Sequence, residues 1–129
     1  MPDYADVAVR AALKLCSGRP MSAREAWDDA ATEVFPDSAS MQSKGCPRMT
    51  FLTLCASGAV KGLAAIGVVG KSENALHARE CLALLAEQPS YASMPPRQLW
   101  NLVTHASGKT YNQQIHVIVG LAKAGLLRY

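Results

Sequence analysis

Apolar residues recur every three or four positions along most of the chain, the spacing of one face of an α-helix. In residues 4–16, YADVAVRAALKLC, that face carries Tyr4, Val7, Ala8, Ala11, Ala12 and Leu15. Asp3 stands where an N-cap accepts from the first turn, and Gly18 and Pro20 end the segment. Ser22 and Glu25 have the S-x-x-E spacing of a capping box, in which each side chain satisfies a backbone N–H of the first turn. They open a second helix with Ala23, Ala26, Trp27, Ala30 and Val34 inward, stopped by Pro36. The polar run DSASMQSKG predicts a loop. Pro47 then suits the first turn of a third helix, which carries Phe51, Leu54 and Cys55 and closes at Gly58. The glycine-broken stretch AVKGLAAIGVVGK predicts an extended connector with a short strand at 66–69.

A similar order follows. A fourth helix over residues 73–86 places Ala75, Ala78, Cys81, Leu82 and Leu85 inward. Pro89, Pro95 and Pro96 punctuate a loop and open a fifth helix with Leu99, Trp100 and Val103. Thr110 and Gln113 have the T-x-x-Q spacing of a second capping box. The last helix shows Ile115, Ile118, Leu121 and Ala122 and closes at Gly125. The fold class is therefore all-α, with about six helices.

The stretch LCASGAVK at 54–61 returns as LAKAGLLR at 121–128. Leu54 and Gly58 align with Leu121 and Gly125, Val60 with Leu127, and Lys61 with Arg128, and each half holds one tryptophan, Trp27 or Trp100. One reading is a tandem duplication of a three-helix, helix-turn-helix-like unit, with copies at 3–63 and 72–129 joined by 64–71 inside a single globular domain, 1–129. The other is coincidence among amphipathic helices. A unit of about 60 residues buries too little surface to be more than marginal, so two copies would share one core. Trp27 and Trp100 then read as core anchors rather than ligand platforms.

Composition agrees. Half the residues are hydrophobic while only 6% are aromatic, and the abundance of Ala and Leu favours helices over sheets. No apolar run reaches the roughly 18 residues that span a bilayer, and no basic n-region precedes the first apolar residues. The expectation is a cytoplasmic protein without a membrane segment. Cys16, Cys46, Cys55 and Cys81 are too few and too unevenly spaced for a disulfide framework and read as thiols.

The segment SKGCPRMTFLTLC at 43–55, the Gly-Ala-Val-Lys-Gly that follows, and the closing LAKAGLL carry a resemblance. Over nearly its full length the chain resembles a family of small uncharacterised bacterial proteins, a domain of unknown function with a Lys-Gly-Cys-Pro motif. That resemblance implies no activity. More locally, QIHVIVGLAKAGLLRY resembles the third helix and wing start of winged helix-turn-helix domains.

Charge distribution is the best functional clue. Residues 1–37 hold seven acids and four bases, and 73–87 three acids and one base, whereas 38–72 and 88–129 hold four bases each and no acid. The basic segments contain the third helix of each half, which is the recognition helix in a helix-turn-helix unit. They define a candidate binding surface at Lys44, Arg48, Lys61, Lys109, Gln113 and Lys123. Acid-free basic surfaces attract phosphate by counterion release, so nucleic acid is one partner class. A protein partner is favoured over it, because four bases in such a stretch are sparse and solvated Lys and Arg are ordinary. Oligomeric state is open.

Cys46 is the sharpest single residue. It lies between Gly45 and Pro47 at a helix start, beside Lys44 and Arg48, and such surroundings stabilise a thiolate. It is the candidate redox-sensing or nucleophilic thiol, against a plainer role as a small residue at a tight turn. His77 and Cys81 share a helix face but make only two metal ligands, so no metal and no cofactor are expected. His105 and His116 read as surface or satisfied interior histidines. The sequence VVGKSE lacks the upstream glycine of a phosphate loop, and no nucleophile elbow is present, so no enzyme is expected.

Overall fold

A computed structural model describes residues 3–64 and 72–129. Its α-helices are α1 (Tyr4–Cys16), α2 (Ala23–Val34), α3 (Ala39–Gln42), α4 (Gly45–Ala56), α5 (Glu73–Glu87), α6 (Pro96–Val103) and α7 (Gln114–Lys123), with a 3-10 helix at Pro89–Ser93. Six of the α-helices have eight residues or more, and no β-sheet occurs among the described residues, so the fold is all-α. None of the described helices is long and apolar enough to cross a membrane. The strand expected at 66–69 lies outside the described residues.

Side-chain caps start the first two helices. Asp3 accepts from Ala5 N and Asp6 N, and Asp6 accepts from Asp3 N at 2.9 Å. Ser22 and Glu25 exchange the predicted pair of bonds at 3.1 and 3.0 Å. The second expected box is corrected: Thr110 does not cap. α7 begins at Gln114 after Gln113, whose φ of 70° is left-handed and whose side chain makes no capping bond. The Gln114 carboxamide folds back instead, its oxygen accepting from Asn112 N at 2.8 Å. Pattern reading also missed α3 and the 3-10 helix, both too short for a helical period to register.

α7 is the central helix. It packs on α1, α4, α5 and α6, while α1 also packs on α2, and α4 on α2 and α5. Its run QIHVIVGL is apolar almost all round, and Ile115, Val117, Ile118, Val119 and Leu121 are all buried. Gly120 lets α1 come close: a Cβ there would lie 2.6 Å from the Ala5 Cβ. Trp27 stands in an aromatic column, stacked on Tyr4 at 6.3 Å and tilted against Phe51 at 5.3 Å.

The two similar endings meet. Gly58 and Gly125 take the left-handed conformation that a side chain would strain, with φ of 79° and 73°. Ala59 N donates to Leu54 O, and Leu126 N to Leu121 O, the long bond of the same C-terminal cap in each helix. The following residues pair antiparallel as an isolated bridge between Val60 and Leu127. Lys61 N donates to Leu126 O at 2.8 Å, and Arg128 N to Ala59 O at 2.6 Å. Val60 and Leu127 are both buried beneath this clasp.

Candidate functional site

Ser72 caps α5 by accepting from Ala75 N at 3.2 Å, which fixes Asn74 and His77 three residues apart on its first turns. Across from them, the Trp100 indole N–H donates to Lys109 O at 3.0 Å and pins the segment leading into α7. Cys46 approaches from the first turn of α4, whose N-cap, Lys44, makes no side-chain bond. Together Cys46, Asn74, His77, Trp100, Asn112 and Gln114 line a cleft of about 240 Å³, with Glu73, Lys109 and Thr110 at its walls.

The hydrogen-bonding groups of this cleft are partly spent. Gln114 is buried, and its amide nitrogen donates to Asn74 Oδ1 at 3.2 Å. Lys109 Nζ holds Glu73 Oε1 at 2.7 Å, which keeps the Glu73 carboxyl below the usual carboxylate range. The His77 ring sets its edge against Trp100 at 4.9 Å, and its Nδ1 lies shielded from solvent without a hydrogen-bond partner. Burial, aided by the Lys109 charge, pushes the His77 pKa down, so the imidazole is neutral at pH 7. Among the described residues the side chains of Cys46, Thr110 and Asn112 also make no hydrogen bond, which leaves both donors and acceptors to spare.

A second concavity adjoins the first. Leu76, Val103, Thr104 and His105 line a groove of about 550 Å³ between α5 and α6, and it shares His77 and Lys109 with the cleft. Its floor is apolar, and Leu76 at its rim is 50% exposed. His105 at the far edge faces Glu80 at 3.3 Å.

The residues of the candidate basic surface have varied surroundings. Lys109 belongs to the cleft and is paired with an acid from α5. Lys44 and Gln113 line a separate crevice of about 210 Å³ with Asp3, Tyr4, Phe35 and Met41. Arg48 is half-buried, its Nε shielded without a hydrogen-bond partner. Lys61 and Lys123 are exposed and line neither cavity. Of the third helices, α7 is buried except at its last turn, whereas α4 buries one side and leaves Gly45 and Met49 exposed on the other. Cys81 is sealed in the core, its thiol pushed up to about 12 by burial, and it does not join His77 in a site. Among the described residues no three His, Cys, Asp or Glu gather to hold a metal. His116 is half-buried with Nδ1 against the Tyr111 hydroxyl.

Sequence reasoning singled out Cys46, Lys109, His77 and Asn112 separately and missed Asn74. The available signal was Ser72 as a cap, which puts Asn74 and His77 on one side of a helix start. No curated protein and no solved structure matches the chain. Residues 1–128 match the Family of unknown function (DUF6979), and the chain belongs to that family.

Proposed function

We propose that the chain is a non-catalytic binding module whose occupant is an extended segment of a partner protein. An apolar side chain of that segment fills the groove between α5 and α6. A neighbouring polar side chain of the Asn, Gln or Ser kind turns into the cleft and takes up its unspent donors and acceptors. The observation that carries this reading is the meeting of an apolar groove and a polar cleft at His77 and Lys109. A half-exposed Leu76 on that rim has no structural role that burial explains, and apolar side chains beside polar rims are what recognition surfaces use.

The test is selection of peptides from a random phage-displayed library against the immobilised protein. Enriched peptides should pair an apolar residue with a nearby amide or hydroxyl side chain. Their binding should fall at least about tenfold in Leu76→Glu, since a charge would have to be desolvated in the groove. Enriched peptides that bind Leu76→Glu as well as the parent protein would place the working surface elsewhere.

A further inference from the structure

The four bases of residues 1–37 are not spread evenly in space. Arg24 pairs with Asp28 along α2 at 3.2 Å, while Arg10, Lys14 and Arg19 line one concavity of about 370 Å³ beside the second half of α1. Of the seven acids in the same stretch, only Glu33 joins them there. Asp3 and Asp6 are engaged in the cap of α1, and Glu25 in the cap of α2. A stretch that is acidic by sequence therefore presents a concavity with three positive charges and one negative.

Glu33 holds two of these cations in place without neutralising both. Lys14 Nζ donates to Glu33 Oε2 at 2.6 Å, and Arg10 Nη1 lies 3.6 Å from Oε1. The Lys14 hydrogen bond, with Arg10 beside it, keeps the Glu33 carboxyl below the usual carboxylate range, so it stays ionised near neutrality. Arg19 follows Gly18, whose φ of 84° turns the chain at the end of α1, and it has no ion pair among the described residues. Arg10, Leu13, Lys14 and Ser17 stand three or four residues apart and so form one stripe along α1. Leu13, in the middle of that stripe, is 54% exposed.

We propose that this stripe docks an extended acidic segment of a partner protein, with carboxylates on Arg10 and Arg19 and an apolar side chain on Leu13. Charge complementarity sets the sign of the occupant, and Leu13 sets its class. Nucleic acid or free phosphate would meet the cations but leave the exposed leucine uncovered, and Glu33 would repel closely spaced phosphates. A carboxylate takes two parallel N–H bonds from a guanidinium, and Arg10 keeps donors beyond its long contact to Glu33. Alternate side chains of an extended peptide share a face at about 6.6–7 Å, close to the rise of about 5.4 Å per turn of α1. Acid, apolar and acid at alternate positions therefore follow the order Arg10, Leu13, Arg19. The stripe shares no lining residue with the polar cleft or with the groove between α5 and α6, so it is a second surface beyond the one already proposed.

The experiment titrates the full-length chain into a fluorescein-labelled peptide of repeated Asp-Ser-Leu-Ser, followed by anisotropy, beside a control peptide with every leucine replaced by serine. The leucine peptide should bind and the control should bind at least about threefold more weakly. Arg19→Glu should weaken the leucine peptide at least about tenfold, and Leu13→Ser at least about threefold. Both replaced residues are exposed, so both variants should unfold at the parent's urea midpoint. Leu76→Glu should bind the peptide as the parent does. No binding of the leucine peptide overturns the proposal, as does equal binding of the control or parent affinity in Arg19→Glu. Loss in Leu76→Glu with Arg19→Glu unaffected would seat the peptide between α5 and α6 and also overturn it. Duplex DNA that displaces the peptide, and is itself weakened by Arg19→Glu, would make the stripe a nucleic-acid surface instead.

Discussion

Gly120→Ala tests the α1–α7 contact on which the core depends. Gly120 lies within α7 and has an ordinary helical backbone, so alanine in an open helix would gain about 1 kcal/mol. Here the added Cβ would sit 2.6 Å from Ala5 Cβ and 2.9 Å from Ala5 Cα. Carbons rest at about 3.5–4.0 Å, leaving a shortfall of about 1 Å. Neither atom can rotate away, so α1 itself must move, and with it Tyr4, Val7, Ala8, Ala11 and Ala12 of the core. Overpacking of this kind costs about 1–3 kcal/mol, and a collision at backbone level belongs at the upper end. Subtracting the propensity gain leaves about 2 kcal/mol, or a fall of about 7 °C in Tm for a chain of this size. The assay is urea and thermal unfolding followed by far-ultraviolet circular dichroism. Gly45→Ala is the control: no atom lies within 4 Å of its added Cβ, and it should change stability by less than about 0.5 kcal/mol. Adding Ala5→Gly to Gly120→Ala should recover part of the loss. A Gly120→Ala protein as stable as the parent would show that α1 does not pack on α7 at this distance.

Leu127→Ala should cost about 2–5 kcal/mol in urea unfolding, because Leu127 is buried under the clasp with Val60; the exposed Tyr129→Ala should cost less than about 0.5 kcal/mol. The pKa values of His77 and His116 are both held below the ordinary 6.5 by burial, so below about 6.5 the unfolded chain binds more protons than the folded one. Tm should therefore fall as pH drops from about 6.5 toward the folded-state values, and His77→Gln should flatten part of that slope; a flat profile between pH 7 and the carboxylate range would contradict it. Fluorescence anisotropy with duplex DNA should show no saturable binding near 0.15 M salt, since Lys109 is ion-paired and Arg48 is half-buried; tight, steeply salt-dependent binding would restore the basic-surface reading.

The helices were legible where period and caps agreed. The α1 bounds and the Ser22–Glu25 box followed directly from apolar spacing and side-chain chemistry. The Thr110–Gln113 spacing misled because the motif is local, while the start of α7 also depends on a tertiary bond: the buried Gln114, folded back on Asn112 N, reaches Asn74, which no short window joins to it. The central place of α7 was half-visible in QIHVIVGL, which has no polar face to offer a solvent-exposed recognition role. Charge counting by segment did not reveal the partner of Lys109 for a similar reason. Glu73 lies in the acidic stretch by sequence but beside Lys109 in space. Cys46 and His77 were each visible as chemistry-bearing residues, but their shared cleft depends on the packing of α4 against α5.

The arrangement of helices suggests why a cleft forms at that place. α1 packs on α7 and α5 packs on α4, so the first helix of each half lies on the third helix of the other. The clasp has the same reciprocity: exchanging residues 59 and 61 with 126 and 128 turns each of its two hydrogen bonds into the other. We propose on these grounds that residues 3–63 and 72–129 are copies of one unit, and experimental coordinates in which no single rotation superposes them would refute it. Under that relation Cys46 corresponds to Gln113, and each residue lines a crevice where the start of a third helix meets the first helix of the other half. The two crevices have diverged in chemistry. At Gln113 the walls are Tyr4, Phe35 and Met41, and the Tyr4 hydroxyl is already bonded to Met41 O at 2.8 Å. At Cys46 the walls are Asn74, His77 and Asn112; Asn74 Oδ1 accepts from Gln114, while His77 Nδ1 has no partner. Hydrogen bonds closed within the chain favour a structural contact, whereas open ones are tolerated only where water or a ligand completes them. On this ground the proposed binding role is assigned to the crevice at Cys46 rather than to the one at Gln113.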